Sequence, residues 1–250
     1  MYNENYLTSM ALSNLDFIAG VLTITPVIIG YLMGIITLRI YLVKRTNLVL
    51  LSSLLFFALT SPWLGVSYAF LSVSLGIGTP NHTTYVFIYA WSVPIVGTLW
   101  NYITASLNTK QPKLKYVFLG VFLILDVVYL YAIYALRQFD VHNVENSIFL
   151  DSNFEGVSVI VLYLTVLSVL FFIAPTYFWI SKNTKEPLLK FKSRMISLGA
   201  VLYALVAIID GLIPLTNLGA LIVIRLLLLC ALVCLYLGYN TPMKIKDKYS

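Results

Sequence analysis

Residues 197–239 read SLGAVLYALVAIIDGLIPLTNLGALIVIRLLLLCALVCLYLGY, and this stretch decides the fold. It is two apolar runs of membrane-crossing length, joined by a tight turn with its apex near Thr216-Asn217-Leu218. Asp210 interrupts the first run and Arg225 the second. Each stands about seven residues from the apex, which at 1.5 Å per residue is roughly 11 Å into a bilayer from the same face. A charge near mid-bilayer costs about 2.5–3.5 kcal/mol. Two opposite charges at one depth on neighbouring helices are therefore expected to meet.

The rest of the chain has the same character. Of its 250 residues 60% are apolar and 10% charged, and the mean hydropathy is +0.91. Soluble domains carry about 25% charged residues. The composition predicts an all-α, polytopic bundle in one domain over residues 1–250, with the lipid bilayer as its main partner. Seven spans are expected, at about 17–40, 48–74, 84–107, 116–136, 157–180, 195–215 and 219–239. Pro26, Pro62, Pro94 and Pro175 interrupt spans one, two, three and five, and Pro214 ends span six. Proline is tolerated in a membrane helix where hydroxyls or neighbours satisfy the freed carbonyl, and Thr60 and Ser61 beside Pro62 are placed to do so.

Fourteen of the 16 Lys and Arg residues lie at the ends that close spans one, three, five and seven; Arg137 and Arg225 are the exceptions. The positive-inside rule then puts the N-terminus outside and the C-terminus in the cytoplasm, as in a multi-pass plasma-membrane protein. The acidic stretch Arg137 to Gly156 falls outside, as does the glycosylation sequon Asn81-His82-Thr83. The opening residues lack a basic n-region, so no cleaved signal peptide is expected. The positive charge is divided among short loops and does not form a nucleic-acid-binding surface. Cys230 and Cys234 lie one helical turn apart inside span seven and read as packing residues.

Several polar and aromatic residues share the depth of Asp210 and Arg225. Phe87, Trp91, Pro94, Thr98 and Asn101 follow helical spacing down span three. Ser67 and Tyr68 on span two and Tyr163 on span five reach the same layer. Asp210, Arg225, Trp91, Tyr68, Phe87 and Tyr163 are therefore the candidate walls of a pocket open to the outside and suited to a small polar or charged ligand. The alternative for Asp210 and Arg225 is an inward-facing ion pair that holds spans six and seven together. On span six Asp210 shares a face with Tyr203 and Ala207, and Ala200, Ala204, Ala207 and Gly211 form a stripe suited to close packing. Asp126 stands near the middle of span four with Phe122, Tyr129 and Leu130 as helical neighbours. It reads either as a proton-coupling carboxyl or as a neutral group hydrogen-bonded to a Tyr or to Asn101.

Other chemistry is excluded or unsupported. Span seven has no Lys for a retinal Schiff base, and no span contains a His for haem. Asp140 and His142 have no further spacing of a metal site and read as a solvated loop. No dinucleotide, Walker, zinc-protease or nucleophile-elbow motif occurs. No enzyme activity, cofactor or metal is expected.

The run Ser92-Val93-Pro94-Ile95-Val96-Gly97-Thr98-Leu99-Trp100-Asn101-Tyr102, followed by a basic loop, resembles the seven-helix sensor region at the N-terminus of many prokaryotic histidine kinases. The ending Gly238-Tyr239-Asn240-Thr241-Pro242 is similar in style. The resemblance implies a sensor fold with an outward ligand site and a cytoplasmic output. Only residues 240–250 follow the last span, so the output is expected to pass to a separate protein. The contact surface would be the basic segment Ser181 to Arg194, although the positive-inside rule alone accounts for its charge. The internal repeat of seven-helix sugar transporters is not found, since Pro26 stands 18 residues before Lys44 and Pro175 only seven before Lys182. The span ends typical of G-protein-coupled receptors are also missing. The leading expectation is a receptor-like or sensor-type module. A small-solute or proton-coupled transporter and a structural subunit of a membrane complex are the alternatives.

Overall fold

A computed structural model describes residues 14–78, 81–107, 112–143, 150–212 and 218–240. In lipid no water satisfies backbone groups, so an apolar chain closes its hydrogen bonds within helices. Here the helices are α1 (Asn14–Lys44), α2 (Asn47–Thr60), α3 (Leu64–Ser74), α4 (His82–Ala90) and α5 (Val93–Ser106). They are followed by α6 (Leu114–Tyr134), α7 (Gly156–Ser168), α8 (Ala174–Asn183), α9 (Pro187–Leu212) and α10 (Leu218–Tyr239). Joined across local breaks, they give seven helical stretches long and apolar enough to cross a membrane: Asp16–Lys44, Asn47–Ser74, Thr83–Ser106, Leu114–Tyr134, Gly156–Asn183, Pro187–Asp210 and Gly219–Tyr239. The chain is thus a multi-pass membrane protein.

Span six begins at Pro187, well ahead of the expected 195, so Lys190, Lys192 and Arg194 ride on helix and not on a loop. Proline suits the first turn of a helix, where its missing N–H has no partner to lose. The turn at Thr216-Asn217, together with Pro214 and the tail from 241, lies outside the described residues.

Among the described residues the strands form one hairpin, in the acidic segment 137–156. Strands β1 (Phe139–Asn143) and β2 (Leu150–Phe154) pair antiparallel, with Phe139 opposite Phe154. Gln138 closes its base. The Gln138 carbonyl accepts from the Glu155 N–H at 3.2 Å and from the Ser158 hydroxyl at 2.9 Å, and its Oε1 accepts from the Val157 N–H at 2.8 Å. Gly156 adopts φ +55°, and a Cβ there would fall 2.7 Å from the Gln138 side chain. Glycine meets both demands without strain.

The core follows the axis of the bundle. Leu55, Phe56, Leu59, Trp100, Leu228, Leu232 and Leu235 are fully buried. Spans six and seven pack closely through two glycines: a Cβ on Gly199 would meet Leu235 at 2.7 Å, and one on Gly238 would meet Ile196 at 2.3 Å and the Lys192 carbonyl oxygen at 3.0 Å. Ala200 and Ala204 of the small-residue stripe are buried, as the stripe predicts. A belt of exposed Val, Ile, Leu and Phe covers the outside, the surface that a bilayer covers.

Candidate functional site

Three of the spans are broken. Span two passes through a tight 3₁₀ turn at Ser61–Trp63. Pro62 has no N–H to donate to the Ala58 carbonyl, which accepts from the Ser61 N–H instead; the side chains of Thr60 and Ser61 turn back onto the carbonyls of Phe56 (3.3 Å) and Phe57 (2.7 Å), not onto the freed one. Span three is interrupted between Ala90 and Val93, just ahead of Pro94. Span five carries a π-helical turn at Val169–Ile173, just ahead of Pro175. Irregular backbone at membrane depth persists only where protein buries it or where it lines a cavity, and π turns cluster at functional sites.

A cavity lies where these breaks converge. Pro62, Trp63, Val93 and Val169 line it from the broken segments, Tyr203, Ala207 and Asp210 from span six, and Phe154 from the hairpin. It encloses about 50 Å³ of room for the centres of water-sized molecules. One edge is strongly polar. The Arg225 guanidinium donates from Nη1 to Asp210 Oδ1 at 2.8 Å, and the Trp63 indole N–H donates to Asp210 Oδ2 at 2.6 Å. Arg225 Nε donates to the Thr23 hydroxyl at 3.3 Å, and that hydroxyl donates to the Ala19 carbonyl at 2.8 Å. Arg225 is 2% exposed, and its guanidinium lies 5.8 Å from the centre of the Trp63 ring. Every charge is thus paired and hydrogen-bonded, the condition for burying one. The pair ties spans six and seven to each other, to span two through Trp63 and to span one through Thr23.

Aromatic rings continue from this edge in two directions. Trp63 meets Tyr203 edge-on at 6.0 Å, Tyr203 meets Trp100 at 5.8 Å, and the Tyr203 hydroxyl donates to the Leu59 carbonyl ahead of Pro62 at 3.0 Å. At the basic ends of spans five and seven, the Tyr177 and Tyr239 hydroxyls lie 3.3 Å apart, and Asn240 donates to Thr37 of span one. On the hairpin side, Phe139 and Phe154 pack tilted against Tyr89 at 5.4 and 6.2 Å, and Phe154 also meets Tyr129 at 6.0 Å.

The structure separates the residues that sequence spacing grouped together. Asp210 lines the cavity, and Arg225 stands directly behind it. Phe87 (63% exposed), Trp91 (40%), Tyr68 (40%) and Tyr163 (46%) point outward from the bundle and take no part in the cavity. In span three Thr98 and Asn101 are buried while Phe87 and Trp91, on the same helical spacing, are exposed; the face buried along the whole span runs through Tyr85, Tyr89, Ser92, Val96 and Trp100. On span two Ser67 is buried and its neighbour Tyr68 is not. On span five Leu162, Thr165 and Val166 face the cavity while Tyr163 faces away.

Asp126 is buried on the inner face of span four beside Phe122 and Tyr129. Its partner is Thr98, whose hydroxyl donates to Oδ2 at 2.6 Å, and not a Tyr or Asn101. Asn101 instead donates to the Gly97 carbonyl and to the Ser168 hydroxyl, both at 2.8 Å. Asn81 of the sequon serves as the N-cap of α4, its side-chain oxygen accepting from the Thr84 N–H at 2.8 Å. Cys230 and Cys234 are free thiols. Among the described residues no group of three or more His, Cys, Asp or Glu gathers as metal ligands; the side chains of Asp140 and His142 lie outside them.

Trp63, Tyr89, Phe154 and Thr23 are absent from the sequence-derived set. Trp63 had a visible signal: an indole directly after Thr60-Ser61-Pro62, at a depth where its N–H needs an acceptor. Compared with protein-family models, with curated proteins and with solved structures, the chain matches none.

Proposed function

We propose that this chain is a receptor-like or sensor-type membrane module that binds a small molecule in the cavity beside Asp210 and acts through a separate protein partner. The observation that carries the reading is the convergence of three helix breaks on one cavity with a fully paired buried charge at its edge. A ligand seated there touches spans two, three, five and six together, and their breaks are the places where a small shift in helix angle is absorbed most readily. In this reading the N-terminus and the hairpin are extracellular and the basic ends are cytoplasmic, in the plasma membrane. The surface formed by Lys182, Lys185, Lys190, Lys192 and Arg194 meets the partner. The protein performs no catalysis and holds no cofactor.

The test is gentle extraction from native membranes followed by mass spectrometry of co-purifying proteins and small molecules. A stoichiometric partner is the expected result. A chain that purifies alone and moves a solute into liposomes overturns the reading.

A proton-coupled transporter is the second reading, favoured by the Thr98–Asp126 contact at 2.6 Å inside the bundle. It requires Asp126→Asn to abolish pH-dependent uptake while leaving the fold intact. Unchanged uptake removes it.

A further inference from the structure

From the cavity's walls we infer the chemical class of its ligand: a small, neutral, mainly apolar molecule, about one six-membered ring in size, with a single hydrogen-bond donor directed at Asp210. This assignment rests on the small-molecule reading above and narrows it.

Charge comes first. Arg225 does not line the cavity, and its Nη1 and Nε are engaged by Asp210 and Thr23. A ligand carboxylate therefore finds no accessible cation among the lining residues. A ligand cation would have to compete with Arg225, already 2.8 Å from the only lining carboxylate. The Asp210–Arg225 unit is neutral as a whole, and a neutral ligand leaves it so. An amino acid or other zwitterion, the natural guess from two isolated charges in the sequence, is disfavoured on both counts.

Wall chemistry comes second. Of the lining residues Trp63, Tyr89, Tyr203 and Phe154 are aromatic, most of the rest are aliphatic, and Thr165 adds one aliphatic hydroxyl. The Trp63 N–H and the Tyr203 hydroxyl donate to Asp210 and Leu59. What these two offer a ligand is ring surface. A carboxylate has about four lone-pair sites, and the Arg225 and Trp63 contacts use two of Asp210's. The polar function the cavity offers a guest through Asp210 is an acceptor, and its complement is one O–H or N–H.

Size comes third. The room of about 50 Å³ holds three or four water centres. At ~30 Å³ of liquid volume each, that is roughly 90–120 Å³ of displaced water, the bulk of a single ring. Phenols, pyrrole-like heterocycles and small cyclic alcohols satisfy all three criteria.

The test uses 4-fluorophenol and 4-fluorotoluene, which share shape and differ in the donor. Fluorine NMR is recorded on the full chain in phosphatidylcholine nanodiscs, with empty nanodiscs to subtract lipid partitioning. The expected result is a saturable bound resonance for 4-fluorophenol with affinity tenfold or more above 4-fluorotoluene, the ratio that a hydrogen bond to a charged acceptor supports. Ala207→Leu fills the cavity and is expected to abolish the bound resonance, while the near-isosteric Ala207→Ser retains it. If the Leu variant does not fold, Ala207→Val carries the same test. Equal affinity for the two probes, no saturable resonance, or a bound resonance unchanged by filling overturns the assignment. A stoichiometric partner without 4-fluorophenol binding removes the ligand class and leaves the sensor reading. Specific binding to a chain that has no partner does the reverse.

Discussion

Replacing Arg225 by Gln leaves the Asp210 carboxylate buried with the Trp63 N–H as its remaining donor of those described. Replacing Asp210 by Asn leaves the guanidinium buried against a neutral amide and Thr23. Removing one member of a buried charge pair costs about 3–5 kcal/mol, because the survivor is left uncompensated. With both replaced, two neutral amides face each other and the uncompensated charge is gone. The double variant is therefore expected to lose less than either single variant, with a coupling energy of about 3 kcal/mol or more. Neutral polar pairs between membrane helices give only about 0.6 kcal/mol on average and about 1.7 at most, since the unfolded helices still find partners in the bilayer. The gap between these ranges makes the cycle decisive. The assay is reversible unfolding in mixed micelles by increasing SDS, followed by Trp fluorescence. Additive single losses, with coupling below about 1 kcal/mol, refute the reasoning and make Asp210 and Arg225 independent groups that share a distance of 2.8 Å.

Other expectations follow from the same contacts. Trp63→Phe removes the 2.6 Å donor to Asp210 while keeping an aromatic ring, and is expected to cost about 1.5–3 kcal/mol in the same unfolding assay. Gly238→Val forces atoms into Ile196 and the Lys192 carbonyl and is expected to destabilise by about 1–3 kcal/mol, whereas Gly120→Ala meets nothing within 4 Å and is expected to stabilise span four by up to about 1 kcal/mol; thermal unfolding in detergent compares them. For orientation, a cysteine at Lys185 is expected to react with an impermeant maleimide only after the cells are opened, and one at Ser152 in intact cells. The reverse pattern refutes the N-out assignment.

Much of the helix layout was legible because apolar length and loop charge are written in composition. The ion pair was legible because mid-membrane charges need partners and both sat at one distance from a turn. The cavity's aromatics were not. Helical spacing puts Phe87 and Trp91 in line with Thr98 and Asn101, but spacing does not say which face of span three turns inward, and the face buried along the whole span runs through Tyr85, Tyr89, Ser92, Val96 and Trp100. The Trp63–Asp210 bond joins residues 147 positions apart, a pairing no local period encodes. The Phe139–Phe154 pairing depends on strand register in a segment too polar and short to show a clear alternation. Lys190 to Arg194 carry the charge of a loop, yet Pro187 ahead of them marks the start of the helix.

The closeness of Asp210 and Arg225 along the chain also bears on how the protein is made. Synthesis delivers span six to the membrane before span seven, so for a short interval Asp210 has no Arg225 to meet. Arg225 then arrives only 15 residues later, with the counter-ion already in place. The last two helices thus bring both members of the pair within one short stretch of synthesis, and spans one and two, already made, supply Thr23 and Trp63. A ribosome stalled between the two would leave span six with a bare carboxylate in lipid. Quality-control machinery that recognises exposed intramembrane charge would have its clearest substrate in that truncated chain.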